Sequence, residues 1–429
     1  MLRPIFAPLF RLFTALVLLA SFSCTSPAPP PTEWPVEEVR IVQDQDGYRL
    51  TVDDRDFFVM GMNWDYFPIG TNYAYSLWSE PDDVIEEALD REMTLMKEMG
   101  VNAIRQYVGV PPRWVEHIHR NYGIYTVLNH PLGRYGVFVD GEWMANTDYA
   151  DPAVREVIMA EVIDMVESFK DTPGVLMWLL GNENNYGLVW SSAETENLPE
   201  EERDIARATP LYTLLGETAE RIKEIDQYRP VAMANGDLGY LDLIAQHAQA
   251  VDIFGTNSYR GVTFTDLFDR VQAEFNRPII FTEFGADAYN SIEDREDQLN
   301  QARYLVENWK DIYLNAAGMG GADNAVGGLT FQWSDGWWKY GQETNLDVHD
   351  TNASWHNGGY PHDYVEGQNN MSEEWFGVVA KGPTQAKNQY DLLPRTAYFA
   401  LQRVHSLDPY GPFVDQTRIE EHFAAIDPF

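Results

Sequence analysis

Short apolar segments alternate with stretches of helical periodicity through most of the chain, and this alternation restricts the possible folds. Eight segments have the length and composition of buried strands: residues 57–64, 101–107, 124–130, 175–183, 230–236, 251–259, 278–285 and 328–335. Amphipathic stretches typical of helices occur at residues 82–99, 152–170, 210–225, 294–316 and 395–407. Strands that are separated by helices pair in parallel. Eight such units predict an α/β protein with a (β/α)8 barrel.

An open, doubly wound sheet is the rival architecture for the same alternation. Such sheets commonly bind a cofactor at a glycine-rich loop after their first strand. The chain after residues 57–64 contains no such motif. We therefore favour the barrel, also called a TIM barrel, and expect no cofactor.

The first 24 residues have the pattern of an export signal. Arg3 and Arg11 precede an apolar run at residues 12–20, which is too short to span a bilayer but has the length of a signal-peptide core. The sequence Ser-Phe-Ser before Cys24 resembles a bacterial lipoprotein cleavage site. We expect a signal peptide at residues 1–24 and an exported protein, held at the cell envelope or outer surface by lipid on Cys24. Ordinary cleavage nearby, which would leave a free thiol, is the alternative.

The remaining chain divides into a tether and one folded domain. Residues 25–37 include three consecutive prolines and predict an extended tether. The domain, residues 38–429, begins with two alternating apolar runs on either side of an Asp-Gly pair, which predicts a β-hairpin. Residues 191–207 are acidic and predict a loop. Residues 336–394 are rich in Asn, Gly, Asp and Trp, and we expect a long Trp-rich loop that forms a wall or lid over the barrel mouth.

Charge and cysteine content exclude several classes of function. The chain has 30 basic and 67 acidic residues, a formal charge of -37 that would repel nucleic-acid phosphates. We expect no nucleic-acid partner, and membrane contact only through the anchor. A single cysteine rules out an internal disulfide and a cysteine-based zinc site. Asp347, His349 and Asp350 could ligate a metal, but their spacing matches no known metal loop, and we expect none.

Two of the predicted strands end directly in a glutamate. The fourth apolar run leads into Asn182 and Glu183, and the seventh leads into Glu283. The carboxyl ends of barrel strands meet at one mouth, so the two carboxyl groups should converge. Glycoside hydrolysis needs such a pair: one carboxyl group protonates the leaving oxygen while the other attacks the anomeric carbon. The acid must then have a raised pKa while the nucleophile is negative.

The motifs around these glutamates resemble those of a known enzyme clan. Gly181-Asn182-Glu183 and Thr282-Glu283-Phe284-Gly285 are similar to the motifs of retaining β-glycosidases with (β/α)8 barrels, clan A. Residues 47–410 most resemble the catalytic barrel of glycoside hydrolase family 2 and are also similar to β-glucanosyltransferase barrels. The resemblance implies that Glu183 is the acid/base, Glu283 is the nucleophile and Asn182 bonds the sugar 2-hydroxyl. It implies a retaining hydrolase of β-linked glycans, with β-glucan-type substrates favoured.

Two further side chains are expected to support the nucleophile. Arg105, at the end of the second strand, should hold Glu283 ionised by charge and hydrogen bonding. Tyr259, at the end of the sixth strand, could donate a hydrogen bond to Glu283. A salt bridge within the barrel and a packed aromatic ring are the respective structural alternatives.

Aromatic and polar side chains near the strand ends are candidates for sugar contacts. Aromatic rings suit pyranose faces, and the candidates are Trp333, Trp337, Trp338, Trp64, Tyr66, Trp355 and Trp375. Packing of the long loop against the barrel is the alternative for each of them. The polar candidates are His130, which could equally be structural, with Asn129, Asn63, Asn257, Asp65, Asp335, Glu343 and Glu374.

Two other functions fit the same motifs. A transglycosylase would use the same glutamates but resolve the covalent intermediate with an acceptor sugar instead of water, which exclusion of water favours. A carbohydrate-binding lipoprotein without activity is the second, and the presence of both glutamates argues against it. The sequence leaves the sugar, its linkage, endo or exo action and the oligomeric state open.

Overall fold

The computed structural model describes residues 35–107, 109–190, 193–291, 293–353 and 371–426. The predicted signal peptide, the lipidation residue Cys24, most of the tether and Trp355 lie outside these residues. Val36–Phe429 is grouped as one compact unit. Within the described residues, no helix combines the length and the apolar character that a membrane span needs.

Eight parallel strands form a nearly closed barrel, which confirms the predicted α/β TIM barrel. We number them one to eight in chain order: Val59–Asn63, Ala103–Tyr107, Tyr125–His130, Val175–Leu180, Val231–Met233 continued by Asn235–Gly236, Phe254–Asn257, Ile279–Phe284 and Ala325–Thr330. Strand eight pairs with strand one, and the two segments of strand five pair with strands four and six. Between the two segments, the N–H of Ala234 donates to the carbonyl of Leu180 in strand four at 2.9 Å.

Helices surround the barrel and connect its strands. They are α1 (Asp82–Met99), α2 (Pro112–Tyr122), α3 (Pro152–Phe169), α4 (Ala193–Glu196), α5 (Glu200–Ile225), α6 (Leu241–His247), α7 (Leu267–Glu274), α8 (Gln298–Leu314), α9 (Thr396–Val404) and α10 (Gln416–Ala424). Short 3-10 turns occupy Leu77–Ser79, Asn184–Gly187, Glu373–Trp375 and Ala386–Asn388. The helix layer thus separates the barrel strands from solvent.

Side chains of the barrel strands point alternately into the barrel and toward the helices. In strand four all six residues are buried. Met177 and Leu179 belong to the cluster inside the barrel, whereas Trp178 and Leu180 pack in the cluster shared with the helices. Burial on both faces explains why the strand is apolar throughout.

The predicted N-terminal hairpin is confirmed. Val39–Asp44 and Gly47–Val52 pair antiparallel, and the short strand Arg55–Asp56 adds to them. Leu50 and Val52 join the apolar cluster inside the barrel together with Val59, the first residue of strand one. The hairpin therefore packs at the amino end of the strands and leaves the opposite end, the mouth, open.

The predicted boundaries around α5 and at the end of strand eight are wrong. The acidic residues 191–207 contain α4 and the first turns of α5, with Pro210 inside the helix. Acidic residues in the first turn favour the positive end of the helix dipole, which helps α5 to begin ahead of its proline. Strand eight ends at Thr330 instead of residue 335. Phe331 and Trp333 still donate to the neighbouring strands, at Phe284 and Asn63, but between them Gln332 donates to Phe376 of the long segment.

The long segment after strand eight is not entirely a loop. Val379–Thr384 and Tyr390–Pro394 form an antiparallel pair within it. The register shifts between Lys381 and Thr384, and this irregularity obscures the alternation that would have predicted the strands. Two more short pairs, Val137–Val139 with Glu142–Met144 and Tyr289–Asn290 with Arg295–Glu296, were also not predicted.

Candidate active site

The loop after strand four places Glu183 at the mouth. Gly181 and Glu183 both have positive φ, 85° and 55°, so the chain turns sharply where the strand ends. The N–H of Glu183 donates to the carbonyl of Ala234 at 2.9 Å, and the Asn184 side chain accepts the N–H of Asn182 at 2.7 Å. A left-handed conformation is unfavourable for glutamate, and it persists here because these bonds fix the turn.

Glu283 lies within strand seven and is held by two donors. Nη1 of Arg105 lies 2.7 Å from its Oε1, and the hydroxyl of Tyr259 donates to its Oε2 at 3.1 Å. Burial and the charges of Glu283 and Glu183 hold the pKa of Tyr259 well above its usual range, so its hydroxyl remains a donor. Both oxygens of Glu283 are therefore oriented, with a fixed positive charge beside one of them.

Arg105 connects the nucleophile candidate to the rest of the mouth. Its guanidinium is fully buried, with Nε donating to Asn129 Oδ1 at 2.8 Å and Nη2 donating to Asn182 Oδ1 at 2.8 Å. Nη2 also donates to the hydroxyl of Tyr107 at 3.2 Å. These groups come from strands two, three and four, so Arg105 fixes the relative positions of three strand ends.

The side chain of Asn182 has a defined orientation. Its Oδ1 accepts from Arg105 and, at 3.2 Å, from Nδ2 of Asn257, while its own Nδ2 donates to the hydroxyl of Tyr135 at 2.7 Å. Asn257 accepts in turn from Thr282 at 2.7 Å. The amide of Asn182 is thus preorganised beside both glutamates instead of rotating freely.

Glu183 has the environment of an acid. Burial and the nearby charge of Glu283 raise its pKa to about 7, although a hydrogen bond from Asn257 opposes the shift. A carboxyl group with this pKa holds a proton near neutral pH while its neighbour is an anion. The two glutamates therefore differ in the way that acid and nucleophile must differ.

This raised pKa predicts a pH dependence that varies with the leaving group. The protonated form of Glu183 disappears as the pH rises above about 7, so kcat/KM for an oligosaccharide should fall roughly tenfold per pH unit beyond it. A dinitrophenyl glycoside needs no proton on its leaving oxygen and should show a much weaker decline. Profiles of kcat/KM between pH 5 and 9 check this, and identical alkaline limbs for the two substrates would contradict the assignment.

Most of the aromatic candidates are packed rather than presented to a ligand. Trp333 is fully buried, and Nε1 of Trp64 donates to Glu92 Oε2 of α1 at 2.9 Å. Trp337 stacks on His349 at 4.6 Å between ring centroids, and His349 stacks on Trp375 at 3.7 Å. The rings of this stack are engaged with one another, as the packing alternative predicts.

The two remaining aromatic candidates, Trp338 and Tyr66, lie outside this stack. Trp338 is half-buried and contacts Phe67 and Tyr73 edge to face. The hydroxyl of Tyr66 donates to the carbonyl of Asn388 at 3.0 Å, and its ring is buried. Trp338 therefore keeps ring surface for a ligand, as do the partly buried Trp337 and Trp375.

The buried Glu92 predicts a second pH effect, on stability. Burial raises its pKa to about 7, despite the hydrogen bond from Trp64, from an ordinary value near 4.5. The folded state binds this proton more tightly than the unfolded state does. Glu92 therefore makes the free energy of unfolding larger below pH 4.5 than above pH 7, by roughly 3 kcal/mol. Glu92→Gln removes the ionisation and should raise the free energy of unfolding, relative to wild type, more at pH 8 than at pH 5. Urea unfolding at both pH values checks this, and an equal difference would contradict it.

The polar candidates separate into those at the mouth and those in the surrounding structure. Asn63 donates to the carbonyls of Thr282 at 2.9 Å and Leu329 at 3.0 Å, and so ties strand one to strands seven and eight. His130 faces the helix layer, where its Nδ1 accepts from Leu132 at 3.1 Å and its Nε2 lies 3.6 Å from Glu161 of α3. These contacts fit the structural alternative for His130, and its contact with sugar stays a prediction.

The acidic candidates after strand eight mostly support the long segment. Asp335 forms a buried pair with Arg395, with N–O distances of 2.6 and 2.8 Å. Glu374 accepts backbone N–H groups of Tyr340 and Asp350, and burial raises its pKa to about 8. The exposed Glu343 accepts from the Tyr73 hydroxyl. In the part of the chain that the structure describes, no group of His, Cys, Asp and Glu side chains is arranged to hold a metal ion.

Two charged side chains at the mouth complete the site. Asp65 follows strand one, and burial raises its pKa despite the nearby Lys339 and Lys381. Lys339 was not predicted; burial acts to lower its pKa, but the charges of Glu373, Asp65 and Glu283 outweigh that effect and raise it. This second cation near Glu283, in addition to Arg105, was not foreseeable, because nothing in the local sequence marks Lys339 apart from its place in the tryptophan-rich segment.

Comparison with family models identifies the barrel. Residues 83–335 match the model of glycosyl hydrolases family 2, TIM barrel domain. The matched range contains barrel strands two to eight and both candidate glutamates. It covers more than half of the chain.

Curated relatives and solved structures agree with this match. 1,3-beta-glucanosyltransferase gel2 of Aspergillus fumigatus is 28% identical over 320 residues, which cover 69% of this chain and 58% of that protein. A beta-galactosidase of Leuconostoc mesenteroides is 29% identical over 150 residues, 35% of this chain and 13% of that protein. The chain thus spans a little over half of the length of the first relative and a small part of the second.

Solved structures show the same fold at low identity. A β-galacturonidase from Eisenbergiella tayi aligns with a TM-score of 0.52 and 17% identity, over 87% of this chain and 55% of that one. A β-glucuronidase from Bacteroides uniformis aligns with a TM-score of 0.54 and 15% identity, over 86% of this chain and 37% of that one. The family model, which matches the barrel through both glutamate-bearing strands, shows that this chain belongs to glycosyl hydrolases family 2 through its TIM barrel domain.

Proposed function

We propose that the protein is a retaining β-glycosidase that hydrolyses β-linked glycans, with β-glucan-type chains as substrate. The observation that carries the proposal is the contrast between the two carboxyl groups at one mouth. Glu283 is paired with Arg105 and accepts from Tyr259, whereas the pKa of Glu183 is raised to about 7. A double displacement needs this division between an anion and a protonated acid.

In the first step Glu283 attacks the anomeric carbon of the sugar. A bond forms between a carboxylate oxygen and that carbon, while the bond to the glycosidic oxygen breaks and its electron pair takes the proton of Glu183. The leaving sugar departs as a neutral alcohol. Arg105 and Asn182 keep their positions during this step. The hydrogen bonds that stabilise the transition state are therefore available without rearrangement of the protein.

In the second step Glu183 acts as a base. It removes a proton from water, the oxygen attacks the anomeric carbon, and the bond to Glu283 breaks, which restores the carboxylate. Each step inverts the configuration at the anomeric carbon, so the two steps together retain it. Neither step requires a metal ion or an organic cofactor.

Transfer to a sugar acceptor is a second candidate function. The similarity to a 1,3-beta-glucanosyltransferase over 69% of this chain favours it. The same glutamates would serve, but a hydroxyl group of a second glycan would replace water in the second step. Hydrolysis and transfer then differ only in the competition between water and acceptor for one intermediate.

Product analysis on a panel of glycans tests the proposal. The panel consists of β-glucans, β-mannans, β-galactosides and β-glucuronides, with cleavage and chain lengthening measured in each reaction. NMR of the first products should show the β-anomer, and longer products at high substrate concentration would establish transfer. An α-anomer as first product would contradict the retaining mechanism, and absence of both reactions across the panel would favour a carbohydrate-binding protein without activity.

Export with a lipid anchor at Cys24 is the proposed localisation. A thiol at the mature terminus can accept a diacylglyceryl group, so labelled fatty acid should enter the wild-type protein and be absent from Cys24→Ala. Membrane fractionation should show the same difference. Equal labelling of both proteins, or a soluble unlabelled wild type, would contradict the anchor.

A further inference from the structure

Large exposed aromatic rings that were not among the predicted sugar contacts occur on the loops after strands three and four. Phe138 and Trp143 are 60% and 52% exposed, and Tyr135 and Tyr186 also face solvent. Tyr135 bonds Asn182, the residue before Glu183, whereas Trp64 and Trp333, which the sequence suggested as sugar contacts, are buried. Exposed aromatic rings grouped at the edge of a catalytic mouth mark a binding surface.

Phe138 and Trp143 are built into a rigid hairpin. They face each other across Val137–Val139 and Glu142–Met144, with ring centroids 4.8 Å apart. The connecting residues Asp140 and Gly141 have φ of 51° and 83°, as a tight hairpin turn requires.

The opposite face of the hairpin is anchored in the fold. Val137 is buried in the core, Val139 and Met144 pack against it, and the first strand of the hairpin contacts α3. The aromatic pair is therefore held outward by the alternation of the two strands and does not rely on a ligand for its position.

This pair is continuous with the candidate active site. The hydroxyl of Tyr135 accepts from Asn182 at 2.7 Å, which places Tyr135 at the mouth. The next residue is Gly136, and a side chain there would collide with the indole of Trp143. A continuous surface therefore runs from Asn182 past Tyr135 and Trp143 to Phe138, with no other helix or strand of the described chain between these residues.

We propose that Tyr135, Trp143 and Phe138 form a stacking platform for the leaving-group half of a β-linked glycan. This inference rests on the proposed function, in which Glu183 stands next to the leaving oxygen. Tyr135 bonds Asn182, the residue before Glu183, and the guanidinium carbon of Arg134, whose charge acts on Glu183, lies 5.6 Å from the centroid of the Tyr135 ring. The first sugar beyond the cleaved bond would meet Tyr135, and the following sugars would stack on Trp143 and Phe138. In transfer, the same platform holds the acceptor.

Matched variants separate this role from general effects on folding. Trp143→Ala and Phe138→Ala remove one ring each, and Trp143→Phe keeps an aromatic surface. Phe413→Ala is the control: Phe413 is fully exposed, and its neighbour Tyr410 contacts Phe58 next to the amino end of strand one, away from the mouth. Thermal unfolding of all four variants shows whether each is folded.

The test compares long and short substrates and measures binding without turnover. Trp143→Ala should raise KM for the pentasaccharide that the panel identifies by about tenfold and leave kcat/KM for a dinitrophenyl glycoside within about twofold. Calorimetric titration of β-1,3-glucan and β-1,4-glucan pentasaccharides into Glu283→Gln, with and without Trp143→Ala, should show about the same tenfold loss of affinity. Trp143→Phe should recover most of it, and Phe413→Ala should change neither quantity.

Other results would contradict either the stacking platform or the proposed function. Unchanged pentasaccharide affinity in Trp143→Ala, or no pentasaccharide binding by Glu283→Gln, would overturn the platform. A change from dimer to monomer in Trp143→Ala at unchanged affinity would show that the rings bind a second copy and would overturn it as well. A wild type that cleaves no glycoside, but loses pentasaccharide affinity with Trp143→Ala, would contradict the proposed function and leave the platform standing.

Discussion

Glu283→Gln is expected to abolish turnover, with kcat lowered by about 10⁴-fold or more. Glutamine has nearly the same shape and can still accept from Arg105, which lies 2.7 Å from Oε1 in the wild type. It cannot form the glycosyl ester, so the loss should be as large for a dinitrophenyl glycoside as for an oligosaccharide. Initial rates on both substrates measure this.

A second glutamate provides the control for Glu283→Gln. Glu420 is exposed on α10, where it accepts from Gln416 at 3.1 Å. Glu420→Gln changes the same charge and should keep full activity. Substantial turnover by folded Glu283→Gln, on either substrate, would mean that another group is the nucleophile.

Glu183→Ala should have a smaller effect that depends on the leaving group. Cleavage of an oligosaccharide should fall by about 10² to 10⁴-fold because its leaving oxygen needs a proton, whereas glycosyl-enzyme formation from a dinitrophenyl glycoside should be nearly unaffected. The second step then becomes slow, since no base activates water. Added azide needs no base and can enter the space that the side chain vacates, so it should restore turnover and give a β-glycosyl azide.

The control for Glu183→Ala is a glutamate outside the mouth. Glu161 lies on α3 and is half exposed, 3.6 Å from His130. Glu161→Ala should show neither the dependence on leaving group nor the azide effect. An α-glycosyl azide, or an equal loss on both substrates without rescue, would contradict the role of Glu183 as acid and base.

The architecture could be predicted because it repeats. Eight apolar runs separated by helical patterns allow few folds, and a glutamate directly after an apolar run must lie at a strand end. The sequence pattern alone therefore places Glu183 and Glu283 at strand ends. Arg105 and Tyr259 followed from the same logic, since each ends a strand at the same mouth.

The surroundings of the glutamates could not be predicted because they depend on contacts between distant segments. Trp333 follows strand eight as a sugar-binding residue would, yet it is fully buried, and nearby Trp64 bonds Glu92 of α1. Composition cannot distinguish a packed ring from a presented one. The hairpin with Phe138 and Trp143 has strands of three residues, too short for periodicity, so that its Asp-Gly turn was the single local signal.

The identity of the residue that becomes glycosylated tests the account most directly. An activated 2-fluoro glycoside of the sugar that the panel identifies slows both steps, and with Glu183→Ala the intermediate should accumulate because its hydrolysis lacks a base. Proteolysis and mass spectrometry of the trapped protein then locate the added sugar. We expect one label per chain, on Glu283 in the peptide that contains Thr282 and Phe284. A label on any other residue would contradict the assignment of the two glutamates on which the proposed function rests.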